Sequence, residues 1–209
     1  EVGTEELPVD DLEAALDALG DRFGALLDEL RLAHGAVVVG GTPRRLAVMV
    51  SDLERRQTDQ RTYVVGPAAA VAFDAAGRPT RAGEGFARSV GLAPDCLETV
   101  ERGGELRVAA TRTEPGRLAA EVLGPAIAGL LGSLPFGRTI RWNASGQRFS
   151  RPVRWLLALH GTDVVPIEFA GLTAGRSTRG PRPLGSPKRR LAGAGQYRAA
   201  LHSDGIVLD

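Results

Sequence analysis

A single cysteine, Cys96, in 209 residues leaves nothing for an internal disulfide framework or a multi-cysteine zinc site. Aromatic residues are only 5% of the chain, too few for a platform on which successive bases would stack. The three histidines, His34, His160 and His202, share no ligand spacing, and each reads as structural. No apolar run approaches the roughly 18 residues that a membrane span requires. The chain starts at Glu1 without a methionine and without a basic, apolar leader, which suggests a fragment or a processed start and gives no secretory signal. With no signal and no paired cysteines, the expected compartment is the cytoplasm.

What is present is ordinary for a globular protein: 43% hydrophobic and 24% charged residues, with a net charge of +1. The length suits one large domain or two small ones, and such a chain can bury roughly 70% of its unfolded surface. The near-neutral total hides an asymmetry. Residues 1–60 hold 13 acidic residues against 6 arginines, whereas residues 137–199 hold 12 basic residues against 2 acidic ones. That split points to a polyanion or an acidic partner at the basic end. Arginine supplies 25 of the 26 basic residues along the whole chain, so base composition of the gene is a competing source of the bias.

Periodicity outlines the elements. Leu12, Leu16, Leu19, Phe23, Leu26, Leu27 and Leu30 recur at three- and four-residue steps and predict a helix over 8–33, with Pro8 in its first turn and Gly35 as its stop. Gly20 and Gly24 weaken it. Residues 36–40, 45–53 and 61–65 read as strands. Thr80 caps a helix to about Val90, with Gly91 beyond it. Residues 97–101 and 105–113 flank Arg102-Gly103-Gly104 and predict a hairpin. A second apolar helix is expected over 116–134, with Leu118, Val122, Ile127, Leu130 and Leu131 inward. Strands are expected at 139–143, 153–160 and 164–170, a loop over 171–190, a helix at about 196–201 and a closing strand over 205–209. Strands and helices do not alternate regularly, which predicts an α+β fold.

Few residues suggest chemistry. Glu5 and Glu6 are adjacent, and neighbours on a strand face opposite sides, so they form no converging acid–base pair. A stand-alone hydrolase built on one of them would need His160 brought close. Gly40-Gly41-Thr42-Pro43-Arg44-Arg45 lacks the Lys-Ser/Thr of a phosphate loop, and Pro43 removes a backbone donor. The arginines carry more. Arg44 and Arg45 follow that turn. Arg138, Arg141, Arg151 and Arg154 lie in or beside expected strands, two of them next to Trp142 and Trp155. Arg176 and Arg179 stand in the Gly/Pro-rich loop, with Arg182 and Lys188-Arg189-Arg190 after them. Guanidinium groups bind phosphate in a bidentate fork and stack on rings, so these eight are candidate phosphate contacts. The alternative is that the tryptophans are core and the arginines pair with the acidic N-terminal third.

Glu1-Val2-Gly3-Thr4-Glu5-Glu6-Leu7-Pro8 resembles the opening motif of the beta subunit of bacterial tetrameric glycyl-tRNA synthetase. The resemblance continues through Thr42-Pro43-Arg44-Arg45-Leu46-Ala47-Val48, Ala72-Phe73-Asp74, Pro79-Thr80 and Gly85-Phe86-Ala87-Arg88-Ser89. It resumes at Arg141-Trp142, Arg151-Pro152, Arg154-Trp155-Leu156, Gly175-Arg176 and Thr178-Arg179-Gly180. The sequence departs from the pattern at Pro181 and Pro183, each of which fixes φ and removes a donor.

The resemblance implies a glycine–tRNA ligase of two alpha and two beta chains, an aminoacyl-tRNA synthetase of the cytoplasm. ATP, Mg²⁺ and glycine would bind the alpha chain, and the beta chain would serve tRNA binding and assembly. No catalytic residue, metal ligand or cofactor ligand is expected in this segment. Its partners would be the alpha subunit, the tRNA for glycine and a second beta chain, with no membrane. A scaffold that docks the alpha chain through the leucine-striped helix, without touching RNA, is the other reading. The expected architecture is a mainly antiparallel sheet body with covering helices and an inserted α/β lobe. Residues 1–62 and 136–184 would form the body, 63–135 the lobe, and 185–209 the start of a further piece.

Overall fold

The computed structural model describes residues 1–208. In chain order the elements are β1 (Val2–Thr4), α1 (Val9–Glu29), β2 (Val37–Thr42), β3 (Arg45–Val50), β4 (Gln60–Ala68), the single turn α2 (Ala69–Ala72), α3 (Arg81–Val90), β5 (Glu98–Arg102) and β6 (Glu105–Glu114). Then come α4 (Ala119–Gly132), β7 (Val153–Leu156), β8 (Leu159–His160), β9 (Asp163–Val164), β10 (Glu168–Phe169), β11 (Leu172–Thr173), β12 (Ser177–Arg179), β13 (Lys188–Arg190) and α5 (Tyr197–Ser203). The α+β class follows: every strand-to-strand ladder is antiparallel, and the helices do not alternate with strands. No helix among the described residues is long and apolar enough to cross a membrane.

The chain divides into two units, residues 1–57 with 117–209 and residues 58–116. Backbone pairing sets the boundary. In the first unit Gln57 N–H donates to Arg117 O (2.9 Å) and Ala119 N–H to Arg55 O (2.9 Å), so the departing and returning strands lie side by side. The Gln57 side chain ties both to α1 by donating to Leu30 O (2.7 Å). The division falls at 57/58 and 116/117, beside the 62/63 and 135/136 expected from the sequence. The apolar helix α4 belongs to the first unit, because its Val122, Leu123, Leu130 and Leu131 have their buried partners there. Residues 185–208 also belong to the first unit rather than opening a separate piece, since β13 pairs with β12 and Leu191, Tyr197 and Leu201 pack on Ala47 and Leu157.

In the first unit a four-stranded sheet runs in the order β2-β3-β1-β7. Leu19, Phe23 and Leu27 of α1 join Val2, Leu46, Val153 and Leu156 of the sheet in one apolar core. Burying each such leucine contributes roughly 1.5–3 kcal/mol. Gly20 and Gly24 do not break α1, because both lie off its most buried stripe. The helix ends at Glu29, not at Gly35. Arg31 takes the left-handed conformation there (φ 53°). Gly35 is needed for the strand pair instead, where a Cβ would lie 2.4 Å from Ser51 Oγ. Leu118, expected inward, precedes α4 and is exposed.

The strand expected over 139–143 shrinks to one bridge between Ile140 and Phe149, because Asn143 and Ser145 form a side-chain-capped turn. The run 164–170 breaks into β9 and β10 at Pro166, which has no N–H to donate. The loop expected over 171–190 holds β11, β12 and β13. The closing strand is not formed at 206–208, and Asp209 lies outside the described residues.

In the second unit the sheet order is β4-β6-β5, with the expected hairpin turning at Gly103 and Gly104 (φ 66° and 79°). Thr80 Oγ1 accepts from Ala82 N–H (3.2 Å) and Gly83 N–H (3.4 Å) at the start of α3 and donates to Val71 O (2.6 Å). Thr80→Ala should cost about 1 kcal/mol in urea unfolding, and Thr80→Ser should retain most of that stability.

Candidate nucleic-acid interface

The eight candidate arginines separate into four environments, all in the first unit. The first is centred on Glu5. Gly3 pairs with Trp155 and Thr4 with Val153, so Arg154 is the extra residue of a β-bulge in β7. The bulge turns its side chain outward, where Nε donates to Glu5 Oε1 (2.6 Å). Arg182 Nη1 reaches Glu6 Oε1 (3.1 Å) and Glu5 Oε2 (3.7 Å). The hydrogen bond from Arg154 holds the Glu5 carboxyl below the ordinary range, and the charges of Arg182 and Arg44 add to this. Arg44 Nη1 also donates to Ser186 Oγ (3.1 Å). Glu5 and Glu6 are thus spent on guanidinium groups. His160, which the hydrolase reading needs beside them, is hydrogen-bonded to Leu53 O (2.8 Å) instead.

The second environment is internal. Arg45 is only 3% exposed. Its Nη2 donates to Arg179 O (2.7 Å), and its Nη1 lies 3.7 Å from Glu1 Oε1. Trp155 Nε1 and Thr178 Oγ1 donate to the same carboxylate, at 2.5 and 2.8–2.9 Å. Arg45 and Arg179 stand 5.8 and 5.9 Å from the Trp155 ring centroid. Burial, with the Glu1 carboxylate beside it, pushes the Tyr197 phenol far above its usual range. Arg45 is therefore withdrawn from the surface set: its charge is neutralised inside the fold. Trp155 is core, as the alternative reading of the sequence had it.

The third environment is a bolt. Arg176 donates to the carbonyls of Thr162 (3.1 Å), Leu191 (3.5 Å) and Ala192 (3.2 Å), joining two turns. The fourth is the segment between α4 and β7, which carries Arg138, Arg141 and Arg151. Arg138 and Arg141 are exposed and Arg151 is half-buried. The sequence reading omitted Arg148 on the same segment and did not count Arg182 among the contacts. Spacing gave no signal for Arg148, because the 140–149 bridge that brings it level with Arg141 joins residues nine apart. Arg189, in the basic run of β13, is held by Asp204 through two hydrogen bonds (3.1 and 2.5 Å).

A cavity of about 520 Å³ lies among α1, α4 and the sheet. Its lining is mostly leucine, isoleucine and valine, with Glu1, Asp52 and His160 among the polar residues. Among the described residues, no arginine or lysine lines it.

A family model described as glycyl-tRNA synthetase beta subunit matches residues 1–209. The chain belongs to the glycyl-tRNA synthetase beta-subunit family. It is 41% identical over 209 residues to a chloroplastic/mitochondrial glycine–tRNA ligase of Arabidopsis thaliana, covering all of this chain and 20% of that protein. Glycine–tRNA ligase beta subunits of Moorella thermoacetica and Myxococcus xanthus are 39% and 40% identical over the same length, and each is covered to 30%. The chain thus spans less than a third of the length of these relatives. For this family the opening motif has a structural reading here: Gly3 admits the Trp155 ring, and Glu5 and Glu6 gather Arg154 and Arg182.

Proposed function

We propose that this chain is a noncatalytic tRNA-binding and assembly segment of a glycine–tRNA ligase beta chain. It would support the ATP-dependent attachment of glycine to its tRNA, with the chemistry, ATP and Mg²⁺ handled by an alpha chain in the cytoplasm. The observation that carries this reading is the match of the whole chain to the beta-subunit family, in which the relatives are named glycine–tRNA ligase. The charge distribution supports it, because the basic surplus of residues 137–199 leaves Arg138, Arg141 and Arg154 exposed on one unit. The phosphate contacts proposed are Arg44, Arg138, Arg141, Arg151, Arg154, Arg176 and Arg179, of which Arg176 gives up backbone partners to make one.

The test is tRNA binding by the complete protein, with these arginines changed singly to alanine and the salt concentration varied. A true contact should flatten the log–log salt slope by about 0.7–0.9. Unchanged affinity and slope at every position would dismiss the contact set. For the scaffold reading, Leu19, Phe23 and Leu27 of the leucine stripe are taken up by the core, which leaves the acidic face of α1 as its motive. Capture of the alpha chain with no measurable tRNA affinity would favour it.

A further inference from the structure

The tRNA-binding reading does not say where on this unit the phosphates are gripped, and one segment differs from the other basic stretches. Residues 137–152 hold four arginines and no acidic residue. Among the described residues, none of the four has a carboxylate within ion-pair distance. Arg141 Nε donates only to Gly146 O (3.2 Å), and Arg151 Nη1 only to Ser150 O (3.0 Å). Arg154, Arg182 and Arg189, by contrast, are each neutralised by Glu5, Glu6 or Asp204.

The segment is not slack. Asp11, buried at the start of α1, accepts from Gly137 N–H (2.9 Å) and from Ser150 Oγ (2.5 Å), which clamps both ends of the segment to one carboxylate. Ile140 and Phe149 exchange both backbone hydrogen bonds (2.9 and 3.3 Å). Phe149 is fully buried between the rings of Phe136 and Phe169, with centroids 4.5 and 5.9 Å away. The Asn143 amide anchors the tip by donating to Ala170 O (2.7 Å).

One step inward from the 140–149 bridge, Arg141 falls opposite Arg148, while Arg138 and Arg151 lie outside the bridge in the bends that flank it. Like charges set across from one another, as Arg141 and Arg148 are, oppose the local structure, and neither has a carboxylate partner among the described residues. A braced segment holding such a pair, with two further arginines at its ends, is arranged for an anion supplied from outside. Guanidinium forks suit phosphate oxygens, and four along one hairpin-like segment suit consecutive phosphates.

We propose that residues 137–152 form the phosphate-gripping element of this chain for an RNA backbone. Arg141 and Arg148 are the central contacts, and Arg138 and Arg151 flank them. This rests on the tRNA-binding reading and goes beyond it by making the clamped segment the main grip and adding Arg148 to it.

The experiment compares the complete protein, assembled with its partner chain, in three forms: unaltered, Arg141→Gln with Arg148→Gln, and, as a control at two ion-paired arginines outside the contact set, Arg182→Gln with Arg189→Gln. The probe is the glycine tRNA transcript, titrated at several salt concentrations. The segment variant should bind about tenfold more weakly, with the log–log slope flattened by about 1.4–1.8. Its melting temperature should hold or rise, since repulsion is relieved. The second variant should keep its slope within about half of one contact. If the second variant loses affinity and slope while the segment variant keeps both, the placement is wrong and the tRNA reading survives. If the unaltered protein binds no tRNA, both fail. If the segment variant loses the partner chain but not tRNA, the segment is a protein interface and the proposal is overturned.

Discussion

Gly3→Ala should lower the melting temperature of the first unit by about 6–12 °C, as expected for a loss of roughly 3 kcal/mol in a domain of this size. A Cβ at this position would lie 1.9 to 2.2 Å from three atoms of the Trp155 ring. That overlap cannot be relieved by a small rotation. Trp155 is buried, its Nε1–H is fixed on Glu1, and two guanidinium groups stand near its ring. The ring must leave, or the central strand β1 must part from β7. Gly20→Ala is the contrasting substitution. Nothing lies within 4 Å of its added methyl, and the residue is mid-helix, so the change should stabilise by about 0.5–1 kcal/mol. Thermal melting of both variants checks the pair, and adding Trp155→Leu to Gly3→Ala should recover part of the loss. A Gly3→Ala protein that melts within a degree of the parent would refute the packing described here.

Those two glycines show what the sequence can and cannot disclose. Helix α1, the Thr80 cap, the Gly91 stop and the β5–β6 hairpin are local signals, and each is read from residues a few positions apart. The crowding at Gly3 depends on a residue 152 positions away. The same distinction governs the arginines. Arg44 and Arg45 are neighbours, yet one reaches Ser186 at the surface and the other is sealed beside Glu1. Arg44 lies in the turn and Arg45 opens β3, and nothing in the local sequence says which of the two is interior. Arg154 was legible as an outward residue only after the register shift in β1–β7 was seen. Arg148 required the 140–149 bridge. Family resemblance carried the family assignment because ordered motifs across a whole chain survive these ambiguities, and pairwise geometry does not.

Arg45→Ala should cost about 3–5 kcal/mol, because it strands the Glu1 carboxylate in the interior. The ion pair joins strands distant in sequence. Glu1 precedes β1, Arg45 opens β3, Trp155 lies in β7 and Thr178 in β12, and all meet at one carboxylate. Arg45 is 4% and Glu1 1% exposed at the side chain, so water cannot replace the lost partner. Removing both charges is a different case. Arg45→Met combined with Glu1→Gln removes both members of the buried side-chain pair, keeps an acceptor for Trp155 Nε1, and should regain most of the stability lost by Arg45→Ala. Urea unfolding of the three variants measures the coupling. The double variant also separates structure from recognition. With its fold restored it should bind tRNA with the parent's salt slope, since a guanidinium sealed against Glu1 has no face left for a phosphate. A stable double variant with a slope flattened by about 0.7–0.9 would return Arg45 to the contact set.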